Sequence, residues 1–171
     1  AYLQSVVDKL TAQPPVSVIV TGTAGDGKTF HLREAWMRLG GSDTEWRKKE
    51  KVKTLSLGGR SLHVVRDLSE FANHERDELL PNLAADLVDP DPKRVYLIAA
   101  NDGRLLSLLQ APPRTTGLDL LHRTIEEELL NGRPHEPAVR VGLVNLSRQA
   151  AGLMLPLVLG AITKHKQWDK C

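Results

Sequence analysis

Eight residues carry the most specific chemistry in this chain: Gly22-Thr23-Ala24-Gly25-Asp26-Gly27-Lys28-Thr29. Their spacing fits G-x-x-x-x-G-K-[ST], a glycine loop whose backbone amides cradle phosphate oxygens. Gly22, Gly25 and Gly27 permit the positive φ values that a tight loop needs. They also let main-chain N–H groups turn inward toward an anion. A helix starting near Lys28 would bring its positive dipole end to the same phosphates. Lys28 would then reach the β- and γ-phosphates, and the Thr29 hydroxyl would ligate Mg²⁺. The nucleotide-contacting stretch is expected to run from Gly22 to Phe30. A glycine-rich turn that binds nothing would look similar, and the flanking residues argue against it. Val16, Val18, Ile19, Val20 and Thr21 read as a strand before the loop, and Phe30 to Met37 as a helix after it.

Composition bounds the rest. With 171 residues the chain is one domain's worth of sequence, and its hydrophobic fraction of 41% suffices for a core. The net charge of +2 implies no strong nucleic-acid field, and an aromatic fraction of 4% argues against a base-stacking platform. The single cysteine, Cys171, excludes an intramolecular disulfide and suits a reducing, cytoplasmic setting. The longest apolar stretch, Ala150 to Ile162, holds Gly152, Pro156 and Gly160 and is too short to span a bilayer, so no membrane role is expected. The start at Ala1 and the stop after Trp168-Asp169-Lys170-Cys171 read as a fragment of a longer protein.

The elements that must position the loop follow from periodicity. Residues 1–15 read as an N-terminal helix and linker: Tyr2, Leu3, Val6, Val7 and Leu10 recur at helical spacing before Pro14-Pro15. The helix after the loop should stop at Gly40-Gly41. Residues 42–53 are charged and aperiodic, which reads as a mobile loop. Thr54–Leu57 and Leu62–Val65 flank Gly58-Gly59-Arg60 as a hairpin. A helix from about Ser69 to Val88, broken near Pro81, leads to the turn Asp89-Pro90-Asp91-Pro92. The most hydrophobic strand, Val95 to Ala100, ends in Asn101-Asp102-Gly103. Helices over Arg104–Gln110 and Leu118–Leu130, a strand over Val139–Leu146 and a last helix over Leu153–Trp168 complete the order. This alternation predicts an α/β fold, a mainly parallel sheet with helices on both faces in three layers. Ligands of such sheets sit at the carboxyl ends of the strands.

A hydrolysing site of this kind also needs an acid near the metal and a group that orients water. Asp67 follows the hydrophobic run Leu62–Val65, with Glu70 three residues on. The same residues read as a helix cap, Asp67 or Ser69 at the N-cap and Glu70 in the first turn. Asp102, beside Asn101, ends the more apolar strand and is favoured if the hairpin fills one sheet position, which makes that strand the third. An Asn-Asp-Gly turn is the plainer reading there. Asn145, with Ser147 as a lesser candidate, would then end the fourth strand as a polar sensor or as a strand-end cap.

In this order the segments resemble the P-loop ATPases of the AAA+ and STAND groups. Leu97-Ile98-Ala99-Ala100-Asn101-Asp102-Gly103-Arg104-Leu105 and Val141-Gly142-Leu143-Val144-Asn145-Leu146-Ser147 are similar to bacterial DNA-defence ATPases such as the phosphorothioation-dependent restriction ATPase subunit. The resemblance implies ATP and Mg²⁺ as ligands and a third-strand acid. It also implies protein partners or a homo-oligomer, with DNA reached through a larger complex. It implies a fifth strand, arginine finger and helical lid beyond Cys171. The absence of adjacent acids at Asn101-Asp102 implies slow hydrolysis. An N/T-K-x-D guanine pattern is missing, which favours adenine. Rival readings are a small-molecule P-loop kinase, with Asp67 holding the acceptor, and a nucleotide switch with negligible turnover. No R-x-x-x-R lid supports the kinase. Arg47–Lys53 could touch DNA phosphates but reads better as a solvated loop. Lys164-His165-Lys166 reads as a helix C-terminus. Arg114, Arg123, Arg133 and Arg140 are undifferentiated finger candidates, and Cys171 could begin a zinc site.

Overall fold

The structure is a computed structural model that describes residues 2–110, 115–131, 139–148, 160 and 163. Its elements are α1 (Tyr2–Thr11), β1 (Ser17–Gly22), α2 (Lys28–Arg38), α3 (Asp43–Arg47), β2 (Val52–Leu57) and β3 (Arg60–Val65). A 3₁₀ turn over Leu68–Glu70 follows, then α4 (Asn73–Val88), β4 (Arg94–Asn101), α5 (Asp102–Gln110), α6 (Thr116–Asn131) and β5 (Val141–Asn145). The five strands form one sheet in the order β2-β3-β4-β1-β5. Only β2 and β3 run antiparallel; β3–β4, β4–β1 and β1–β5 are parallel. The fold is therefore α/β with a mixed, mostly parallel sheet.

The central strands carry the reason. Every residue of β1 is buried, as are Val95 to Ala100 of β4, the uninterrupted apolar pattern of a strand covered on both faces. Alternate side chains go to opposite sides. Val18, Val20, Leu97 and Ala99 pack with Leu10 of α1, Leu32 and Trp36 of α2 and Trp46 of α3. Ile19, Tyr96, Ile98 and Ala100 pack with Leu83 of α4, Leu105 of α5 and Ile125 of α6.

The hairpin turns through Gly58 and Gly59 at φ 56° and 82°, the paired positive values of a two-residue turn that follows strand twist. It fills two positions of the main sheet, not one. Residues 42–53 are not one continuous loop: α3 occupies Asp43–Arg47. Ser42 Oγ accepts from Glu45 N at 3.1 Å, Asp43 pairs with Arg33 and Arg47, and Trp46 is buried against Trp36 with ring centroids 6.2 Å apart. Those contacts hold α3, and β2 begins at Val52. Helix α4 starts at Asn73 and runs through Pro81 unbroken, because Leu80, Leu83, Ala84 and Leu87 bury its sheet-facing side. Helices α5 and α6 begin two residues before their expected starts, and β5 spans only Val141–Asn145. The expected helix over Leu153–Trp168 lies outside the described residues, apart from Gly160 and Thr163.

Candidate phosphate-binding site

Strand β1 ends at Gly22, the loop occupies 23–27, and α2 opens at Lys28. Gly27, the residue before α2, takes φ 80° and ψ 19°, a left-handed conformation open to glycine at little cost. Gly25 stands at φ 90°. No side chain caps α2, so its first-turn amides keep the unpaired character common to helix starts. Lys28 Nζ donates to Gly22 O at 3.1 Å and to Thr23 O at 2.6 Å. An ammonium group carries three protons, so this pair of bonds leaves one for an anion. Thr29 and Phe30 are exposed beside it, Phe30 edge-on to the His31 ring at 5.5 Å.

Parallel pairing brings three strand ends level. Gly22 pairs with Asn101 of β4, and Thr21 with Asn145 of β5. Asn145 Nδ2 donates to Asp102 Oδ2 at 3.3 Å, joining the strand ends on either side of β1. Asn145 Oδ1 accepts from Arg148 N at 3.2 Å. Asp102 Oδ1 is buried without a partner, and so is Thr21 Oγ1. Orphaned buried acceptors of this kind call for a water, an ion or a functional role. Asn101 Oδ1 accepts from Gly103 N at 3.2 Å; Asp102 and Gly103 open helix α5 where an Asn-Asp-Gly turn is the plainer expectation from sequence.

Asp67 lies after β3, separated from β1 by β4. Its Oδ1 accepts from Ser69 N at 2.8 Å and from Ser69 Oγ at 2.7 Å, which makes it the N-cap of the 3₁₀ turn. Glu70 is exposed in that turn. Gly22–Thr29, Asp102, Asn145 and Ser147 thus come together at one end of the sheet, while Asp67 is one strand further out. Because the hairpin takes two positions, β3 is the third strand and β4 the fourth. The count that favoured Asp102 therefore has a different footing: Asp67 ends the third strand, Asn101-Asp102 the fourth and Asn145 the fifth.

Asp26 holds a place that sequence reasoning did not give it. Its carboxylate accepts from Thr23 N, Thr23 Oγ1 and Ser147 Oγ at 2.5, 3.0 and 2.7 Å. The Ser147 bond, with the Thr23 amide next, holds its pKa below the ordinary carboxylate value. Ser147 is 121 residues away, beyond the reach of any local pattern.

The basic run is largely paired within the molecule. Arg47 meets Asp43, Lys48 meets Glu45, Lys51 meets Glu75, and Lys53, 2% exposed, meets Glu50. Arg140 Nη1 donates to Pro90 O at 2.6 Å. Arg114, Arg133, Lys164-His165-Lys166 and Cys171 lie outside the described residues. Among the described residues no group of three or more His, Cys, Asp or Glu side chains is placed to hold a metal, and no helix is long and apolar enough to cross a membrane. No protein-family model matches the chain, and no curated protein matches it.

Proposed function

We propose that the chain binds a nucleoside triphosphate with Mg²⁺, ATP in preference to GTP, through the loop Gly22–Thr29. In this reading it serves as the P-loop ATPase or nucleotide switch of a larger bacterial DNA-processing or defence assembly, as the AAA+/STAND resemblance implies. The observation that carries the proposal is the loop itself: a strand, a turn with glycines at positive φ and a helix opening at Lys28, whose ammonium retains a proton for an anion. Backbone amides, helix dipole and lysine then converge on one place at the carboxyl end of a parallel sheet.

The donor set suits magnesium. Mg²⁺ is commonly held by one or two carboxylates, water and substrate phosphates, not by a protein cage. Thr29 would supply a hydroxyl and one aspartate the carboxylate; bound there, the ion would neutralise charge between the β- and γ-phosphates. The resemblance assigns the acid to the end of the third strand, which in this sheet is Asp67, with Asn101 in the sensor place at the end of the fourth. A second reading, with Asp102 as the acid and Asn145 as the sensor, is favoured by the buried, unpartnered Asp102 Oδ1. In either case the acid stands alone, next to Leu68 or Gly103, which supports a slow ATPase or a switch.

Titration of the chain with ATP and Mg²⁺ in a calorimeter tests the proposal. Lys28→Ala should lower affinity by roughly a hundredfold, about 2.7 kcal/mol for a charge-assisted phosphate contact. Equal affinities for the two proteins, or no binding by the parent chain, would end it.

A further inference from the structure

One carboxylate joins the glycine loop to Ser147, two residues past the end of β5. Asp26 Oδ2 lies 2.5 Å from Thr23 N, 3.0 Å from Thr23 Oγ1 and 2.7 Å from Ser147 Oγ, and Ser147 Oγ itself accepts from Thr23 N at 3.2 Å. The backbone bond across the same turn, Asp26 N to Thr23 O, is long at 3.4 Å. The turn is therefore closed mainly by the side chain. A charged acceptor makes each of these bonds stronger than its neutral equivalent.

Thr23 is gripped from both directions. Its N–H and hydroxyl go to Asp26, while its carbonyl accepts from Lys28 Nζ at 2.6 Å. The neighbouring glycine makes room for the grip: a Cβ at Gly22 would stand 2.6 Å from Asp26 Oδ2. Ser147 comes two residues after Asn145, whose amide holds Asp102. The loop bonds to Ser147, and two residues earlier Asn145 bonds to Asp102, so the two contacts are linked through the chain after β5.

We infer that Asp26 is a positioning residue for phosphate binding, and that Ser147 anchors it to the end of β5, so that the loop amides and Lys28 are preset for the anion. Asp26 acts in this way only where Gly22–Thr29 holds phosphate, so the inference rests on the nucleotide reading. Its chemistry is indirect: the carboxylate orders the loop before ligand arrives and so reduces the ordering cost of binding.

The test is ATP–Mg²⁺ affinity of the chain, measured calorimetrically for the parent, Lys28→Ala, Asp26→Ala, Ser147→Ala, Ser147→Thr and the Asp26→Ala/Ser147→Ala double variant, with thermal unfolding alongside. Loss of the charge-assisted bonds should weaken binding roughly tenfold in Asp26→Ala and about threefold in Ser147→Ala. Ser147→Thr, which restores a hydroxyl, should recover the parent value, and the double variant should be no weaker than Asp26→Ala, since both remove one shared bond. A merely structural role would lower the unfolding temperature without that rescue and without non-additive affinities. Parent-like binding by Asp26→Ala and Ser147→Ala, with Lys28→Ala impaired, would overturn the inference and leave the nucleotide reading standing. No binding by the parent would overturn both. Should Asp26→Ala fail to fold, Ser147→Ala against Ser147→Thr decides alone.

Discussion

Gly22 shows how narrowly the loop is specified at single residues. Its φ of 153° disfavours a side chain, and a Cβ would press on Asp26 Oδ2 at 2.6 Å. Gly25, at φ 90°, has open space around it. Alanine at Gly25 should therefore cost backbone strain alone, about 1–2 kcal/mol. Alanine at Gly22 adds the displacement of the carboxylate that closes the turn, and should reduce ATP affinity further than Gly25→Ala does. Urea unfolding and calorimetry on the two variants check this, and a milder effect at Gly22 would contradict the packing. The bonds to Asp26 lower its pKa, first that from Ser147 and then that from the Thr23 amide, so the carboxylate stays charged into more acid solution than an ordinary one. A depressed carboxylate contributes above its ordinary value of 3.8, and that contribution disappears only as pH falls through the folded value. The loop's glycines and lysine were legible in the sequence because their spacing is covalent. The role of Asp26 was not, since its partner is supplied by the far end of the fold.

The elements were legible where a local pattern determines them and illegible where tertiary contacts do. The apolar runs of β1 and β4 and the Gly58-Gly59 turn announced themselves. Helix α3 did not: it is five residues long, and it depends on Trp46 reaching Trp36 and on Asp43 meeting Arg33. In the sequence its charges masked that burial. Hairpin β2–β3 was visible too, but nothing local says that both arms join the main sheet, and the identity of the third strand depends on it. In the proposed reading with the acid at the end of the third strand, Asp67→Asn should lower the Mg²⁺-dependent part of ATP affinity about tenfold, the value of one charge-assisted contact. Asparagine still accepts from Ser69 N, so the cap and the unliganded stability should be largely kept. Asp102→Asn should then leave the Mg²⁺ dependence largely intact. Affinity measured with and without Mg²⁺ for both variants distinguishes the two acids, and the opposite pattern moves the metal to the end of β4.

At the scale of the whole molecule, the candidate phosphate loop lies at the carboxyl ends of β1, β4 and β5, with Asp67 one strand further out after β3. A ligand held at that end, as proposed, would meet a loop already bonded to Ser147, and the unfolded chain would have no such site. Binding should therefore raise global stability by mass action, about 2.7 kcal/mol when ligand is at a hundred times its dissociation constant. For a domain of this size, roughly 2–4 °C of melting temperature accompany each kcal/mol. ATP with Mg²⁺ at that excess should raise the melting temperature by about 5–10 °C, from the same stability gain. Mg²⁺ alone should do little, because in the proposed reading the ion is held largely by water and the nucleotide's phosphates. Lys28→Ala should lose the increment while keeping the unliganded melting temperature near that of the parent, apart from its bonds to Gly22 O and Thr23 O. Scanning calorimetry of the parent and Lys28→Ala, each with and without ligand, makes the comparison. An equal rise in both proteins would mean that nucleotide stabilises the chain at some place other than the loop Gly22–Thr29.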